Sequence, residues 1–324
     1  MHTRTGWVAF AAAVALLAAG TGCVSTQAGL GTFDRTLSVN GPVRLELKNG
    51  SGAVRISAGQ PGEVRIHAEF RVGAFLWDNV NDRIAELTKN PPIEQTGNVI
   101  RVGFRERLLQ NIRIEYTIVV PPDTELHAGI GSGSLEARSL HGRVSLSAGS
   151  GSVAAEDIGD DAEVSAGSGS IHLGRVQGQV RFSVGSGSVL LEDVRGEIRG
   201  STGSGKIALE QPGGRVTVST GSGDVSVTGA ASDVRITTGS GMISVEGNPV
   251  KASFWELTAR SGRIELRVSS TASFRLYAHS SSGRIETDLP LLVEEQARRT
   301  LRARMGAGDA RVEVQTSSGS IHIR

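Results

Sequence analysis

Gly-Ser-Gly recurs at Gly131, Gly149, Gly167, Gly185, Gly203, Gly221 and Gly239, each start 18 residues beyond the last. A period held this strictly requires that one short unit stack on the next, because a unit of 18 residues cannot bury an apolar face alone. The chain from Glu125 to Val250 is therefore expected to be a β-solenoid of 18-residue coils.

Cutting the repeats at 125, 143, 161, 179, 197, 215 and 233 shows how each coil is built. The second column reads Leu126, Val144, Ala162, Val180, Ile198, Val216, Val234, and the fourth reads Ala128, Leu146, Val164, Phe182, Gly200, Val218, Ile236. Columns eleven and thirteen are apolar throughout, with Val153, Ile171, Val189 and Ile207 in one and Leu173, Leu191 and Leu209 in the other. Alternation at period two with β-branched residues on one face marks short strands. Each coil is thus expected to hold two strands broken by Gly-Ser-Gly. A further inward turn is expected at Leu140, Ile158, Val176 and Val194, before the corner glycines Gly142, Gly178, Gly196 and Gly214. The serine column Ser132 to Ser240 can hydrogen-bond along the stack. At about 4.8 Å per coil, seven coils make a rod about 34 Å long, and burying some five aliphatic side chains in each, at roughly 1.5 to 3 kcal/mol apiece, opposes the chain entropy without a disulfide.

Two other architectures share an 18-residue multiple. A hexapeptide helix needs an aliphatic residue at every sixth position, but columns two, eight and fourteen are apolar, serine and mixed. Calcium-binding nonapeptide repeats need Asp after the glycine turn, whereas Gly185 to Leu190 reads Gly-Ser-Gly-Ser-Val-Leu.

The amino terminus has one basic residue, Arg4, before the apolar run Trp7 to Ala19 and small residues up to Gly22. Thirteen apolar residues are too few for an ordinary membrane span and fit an export signal over residues 1–22. The only cysteine, Cys23, follows at once. Gly-Thr-Gly-Cys resembles the lipobox of bacterial lipoproteins, and that resemblance implies Cys23 as the lipid attachment site and a membrane anchor. Gly20 stands where the pattern prefers Leu, so ordinary signal cleavage stays open. Residues 23–32 are expected to form a lipidated tether. Without residues 1–22 the chain holds 33 basic and 33 acidic side chains, a balance that leaves no electrostatic footprint for nucleic acid. No second cysteine exists for a disulfide or a thiolate metal site.

Residues 33–122 lack the repeat. Val43 to Leu47, Ala53 to Ile56, Val64 to Phe70, Val99 to Phe104 and Ile112 to Val120 alternate as strands, while Trp77 to Leu87 has helical spacing through Val80, Ile84 and Leu87. This β-rich region is expected to cap the open edge of the stack. Residues 123–324 are assigned to the solenoid. Imperfect turns recur at Ser261, Ser282 and Ser318, and Pro290 to Met305 is expected to be a helical insert, with the basic run Arg298, Arg299, Arg302 and Arg304 facing solvent, lipid or polymer.

The Asn-Gly-Ser-Gly element near Gly50, the serial Gly-Ser-Gly coils and the ending Thr-Ser-Ser-Gly-Ser-Ile-His-Ile from Thr316 resemble the bacterial putative adhesin family, domain of unknown function 4097. The resemblance covers nearly all of residues 33–324. It implies an all-β, single-stranded right-handed β-helix in an envelope protein, and it carries over no catalytic residues.

Chemistry hidden in the repeat is sparse. Gly200 to Lys206 spells most of a phosphate-binding loop, but Ile207 replaces the magnesium-ligating Ser or Thr and no helix pattern follows, so no nucleotide is expected. Glu192 and Glu210 fall one coil apart and could face a sugar; as a solvated corner they would be neutralised by Arg175 and Arg195. The seven histidines have no metal-ligand spacing, and no serine elbow stands out from the turns. No cofactor is expected. The leading expectation is a non-enzymatic cell-envelope lipoprotein that offers a rigid surface to a glycan or an envelope protein. A polysaccharide-acting enzyme and a scaffold or regulator of a membrane signalling complex are the alternatives.

Overall fold

The computed structural model describes residues 29–71, 80–104, 109 and 112–324. The expected signal segment, Cys23 and Trp77 lie outside them.

Repetition of the aliphatic columns produces one long parallel sheet in register. Val189 pairs with Ile171 and with Ile207, which pairs in turn with Val225, then Ile243, then Ile264. On the other side of the turn Val180, Ile198, Val216, Val234 and Trp255 form the matching row. All these side chains are buried. The interior is thus a set of aliphatic ladders, each side chain resting on its counterpart from the previous repeat. Trp255 ends one ladder, and its indole Nε1 donates to the Ser232 carbonyl at 2.7 Å, so the polar end of a buried ring is satisfied. Thr202, Thr220 and Thr238 form a buried polar ladder inside the same core, where the Thr202 hydroxyl donates to Thr220 Oγ1 at 3.0 Å.

The Gly-Ser-Gly segments do not always break the strands. Glu125–Arg138 and Val144–Ile158 run straight through them, and only from Ala162–Ser168 onward does each repeat divide in two. The serines stack in register, Ser132 on Ser150 on Ser168, but remain exposed. Among the described residues the one hydroxyl-to-hydroxyl bond to a serine of this stack joins Ser282 to Ser318 at 3.3 Å. The expected hydrogen-bonded serine column is therefore absent over Ser132 to Ser240, because side chains that point to water are satisfied there.

The amino-terminal region is joined to the stack more closely than its sequence suggests. Arg44–Ala58 pairs in parallel with Glu125–Arg138 along its whole length, with Ser51 on Ser132 and Gly52 on Gly133, so it forms the first rung. Gly29–Ser38, Glu63–Arg71 and Arg113–Val120 add antiparallel strands, and Arg113–Val120 rests in parallel on Val54 to Ala58. Of residues 23–32, expected to form a tether, Gly29 to Thr32 instead pair as strand with Glu69 to Arg71, and the rest lie outside the described residues. The helix is Val80–Lys89, with Ile84 and Leu87 buried. It approaches Gly31 so closely that a β-carbon there would meet Ile84 Cγ2 at 2.7 Å.

At the carboxyl end the chain departs from sequence order. Ala310–Ser318 pairs with Phe254–Ser261 on one side and with Phe274–Ser280 on the other, so the last repeat in sequence lies between two earlier ones in space. The stretch 290–305 is a hairpin, Leu292–Ala297 with Thr300–Met305, and the latter strand pairs antiparallel with Phe274–Ser280. The helical expectation fails because Leu301, Ala303 and Met305 alternate at period two and are buried, while Arg302 between them is exposed. The outer strand is exposed throughout and carries Glu294 and Glu295, charges that blunt a free sheet edge.

Candidate functional site

The site begins with a backbone irregularity. Ser139, Asp157, Arg175, Asp193 and Gln211 occupy the same column, and all five have φ between 52° and 58°. The next member of the column is Gly229, at φ 81°. For a residue with a β-carbon the left-handed region costs about 1 to 2 kcal/mol, somewhat less for Asp, so glycine is the easy choice at this corner. Five repeats instead carry a polar side chain, and backbone strain held in place by its surroundings gathers at functional positions.

One residue farther on, Ile158 and Val194 are buried and form a floor; two residues farther on come His141, Gly159, Gln177, Arg195 and Gly213. The two exposed columns bound an open groove of about 490 Å³ that crosses the strands. Gly159 and Gly213 keep its wall low. Arg175 donates through Nε to Asp157 Oδ1 at 2.5 Å and through Nη2 to Glu156 Oε1 at 2.6 Å. The hydrogen bond from Arg175 holds the Asp157 carboxyl below its ordinary pKa, and the same bond raises that of Arg175. Among the described residues, Asp193, Arg195, Gln177 and Gln211 make no side-chain hydrogen bond or ion pair within the molecule. Donors and acceptors of both signs thus stand unengaged along the groove.

The residues singled out from sequence fall differently. Glu192 and Glu210 are direct register partners, but Glu192 is bonded to His172 Nε2 at 2.5 Å. Arg175 neutralises Glu156 and Asp157 instead, and Arg195 has no carboxylate partner among the described residues. The pair is a solvated ledge beside the groove. Gly200 to Lys206 runs through strand Ile198–Ser204, and Ile207 opens another strand, so no helix amino terminus faces that loop. His67, His127, His141 and His322 each sit beside a carboxylate, at 2.8, 2.9, 3.3 and 3.0 Å. Among the described residues no three potential metal ligands gather. The left-handed column escaped sequence reading, although Gly229 at its end was the available signal.

A register-stacked parallel sheet with an open polar corner defines a β-repeat protein. The chain belongs to the toastrack DUF4097 family, whose model matches residues 43–324. No curated protein matches it. Among solved structures it is similar to a putative cell adhesion protein from Clostridium sporogenes, at 11% identity over 90% of this chain and 99% of that one with a TM-score of 0.21. It is also similar to a putative adhesin from Bacteroides fragilis, at 12% identity over 91% and 97% with a TM-score of 0.25.

Proposed function

We propose that this chain is a non-enzymatic protein of the cell envelope, a right-handed β-solenoid of 18-residue coils whose corner groove binds an extended glycan. The observation that carries the reading is the column of five non-glycine residues held at positive φ, of which Asp193 and Gln211 are unengaged, beside the equally unengaged Gln177 and Arg195. Successive rungs lie about 4.8 Å apart, whereas an extended peptide advances about 3.3 Å per residue and falls out of step with them. A pyranose chain laid along the groove meets one new rung per sugar. Alternation of Asp157, Arg175, Asp193 and Arg195 denies the single-signed field that a nucleic acid needs.

Binding of purified protein to an array of envelope glycans tests this. Asp193→Gly and Arg195→Gln are each expected to lower affinity at least about tenfold, equivalent to one charge-assisted hydrogen bond. Asp193→Gly should leave the melting temperature unchanged or higher, because glycine relieves the left-handed backbone. Glycan binding indifferent to both changes, or no glycan binding at all, would remove the groove from the proposal.

Export by residues 1–22 and acylation of Cys23 complete the proposal, with the apolar run Trp7 to Ala19 and the lone cysteine in support. Cys23→Ser is expected to move the protein from the membrane pellet to the soluble fraction and to abolish incorporation of labelled palmitate. Retention in the pellet would count against a lipid anchor, since diacylation at Cys23, two chains being enough for stable anchoring, is the attachment proposed.

A further inference from the structure

Three arginines stand in one row on the outer face of the sheet at its carboxyl end. Arg275 is the direct register partner of Arg304 on one side and of Arg311 on the other. Their side chains leave neighbouring strands about 4.8 Å apart. Like charges directly opposite one another destabilise a sheet, and acids normally interleave them. Arg311 has Glu313, and Arg304 Nε lies 3.9 Å from Glu294. Arg275, at the centre, is exposed and has no carboxylate partner among the described residues. Arg304 Nε is also shielded from water and has no hydrogen-bond acceptor, the 3.9 Å to Glu294 being too long for one.

The surroundings hold this unfavourable row in place. Gly308, at φ 76°, makes room for two arginine stems: a β-carbon there would lie 3.0 Å from both Arg275 Cγ and Arg304 Cδ. The Arg311 guanidinium lies over the Phe254 ring, and Arg302 over the Tyr277 ring, each 5.4 Å from the centroid. Arg275, Arg302 and Arg311 border an open pocket of about 780 Å³. Three acids stand on its wall: Glu313 is paired with Arg311, Glu294 lies 3.9 Å from Arg304 Nε, and Asp309 accepts a hydrogen bond from Ser273 at 2.8 Å.

We infer that Arg275, flanked by Arg304 and Arg311, is a binding site for a phosphate- or sulfate-type oxyanion. A tetrahedral anion offers several acceptors at once, and planar guanidinium forks match that geometry with paired hydrogen bonds. Such an anion would neutralise the exposed Arg275 and draw on the positive field of the two arginines that flank it in register. The site shares no residue with the corner groove, so either can fail without the other.

Calorimetric titration of the mature chain with inorganic phosphate and with sulfate, at constant ionic strength set by sodium chloride, tests the inference. Saturable binding is expected. Arg275→Gln should weaken it about tenfold or more, Arg275→Lys less, because the ammonium keeps the charge and loses the fork; Arg195→Gln in the groove should leave it unchanged. Arg275 is exposed, and a melting curve matching wild type confirms that each variant is folded. Co-sedimentation with phosphatidylcholine vesicles, with and without phosphatidylglycerol, separates the sources. Capture by phosphatidylglycerol that depends on Arg275 assigns a lipid headgroup, and saturation by inorganic phosphate alone assigns a free anion. Binding to neither probe, or binding that Arg275→Gln leaves intact, overturns the inference.

Discussion

Gly169→Ala is expected to destabilise the protein by more than about 3 kcal/mol, above the ordinary range for a surface substitution, and to split its thermal unfolding into two transitions. Gly169 has φ 133°, where a residue with a β-carbon is strained. The added methyl would also fall inside contact distance of the Gly151 carbonyl oxygen in the preceding repeat. That oxygen cannot swing aside, because both glycines belong to the parallel stack and Gly187 rests on Gly169 in the same way. Stability in a repeat protein is close to a sum of units and nearest-neighbour interfaces. A wedge in the middle of the stack therefore weakens one interface and lets the segments before and after it unfold separately. Differential scanning calorimetry reads the outcome, with Ser168→Ala as the neighbouring control. Ser168 is exposed and its loss should cost less than about 0.5 kcal/mol. A single transition for Gly169→Ala within that margin of wild type would mean that the second glycine of each turn is there for some reason other than close stacking.

The same stacking explains which parts of the architecture were legible. Columns two, four, eleven and thirteen point inward as their alternation requires, because a one-residue slip would turn every aliphatic side chain to water. Spatial order at the carboxyl end was not legible. Val312 and Val314 fit against Trp255 and Leu257 as well as against Leu276 and Ala278, so the apolar columns accept either neighbour and do not encode which repeat comes next. The hairpin at 292–305 was misread because Leu291, Leu292 and Val293 stand among charges, while the alternation of Leu301, Ala303 and Met305 is only three residues deep. The groove was hidden for a different reason. A positive φ leaves no mark on Asp, Arg or Gln, and Asp157 and Asp193 alone are common in ordinary turns.

Column four holds the second large effect, which tests whether the core is packed as interlocking shapes or only as an oily interior. Phe182 and Gly200 are register partners in neighbouring repeats, the largest and the smallest residues of their column. A β-carbon on Gly200 would lie 2.4 Å from Phe182 ring carbons, so the phenyl occupies the space of two side chains. Gly200→Val is expected to cost about 1 to 3 kcal/mol through overpacking. Phe182→Val should cost about 2 to 4 kcal/mol, because the bare glycine beneath it leaves a cavity with nothing to fill it. In the double variant two valines share the volume that one ring filled, restoring the aliphatic ladder seen in neighbouring repeats at Val164 and Val218. Its loss of stability should fall short of the sum of the single changes by at least about 1 kcal/mol, the coupling expected of residues in direct contact. Urea denaturation of the four proteins closes the cycle. Additive losses would show that the two positions relax independently, and that the phenyl over Gly200 is not a shared fit between repeats.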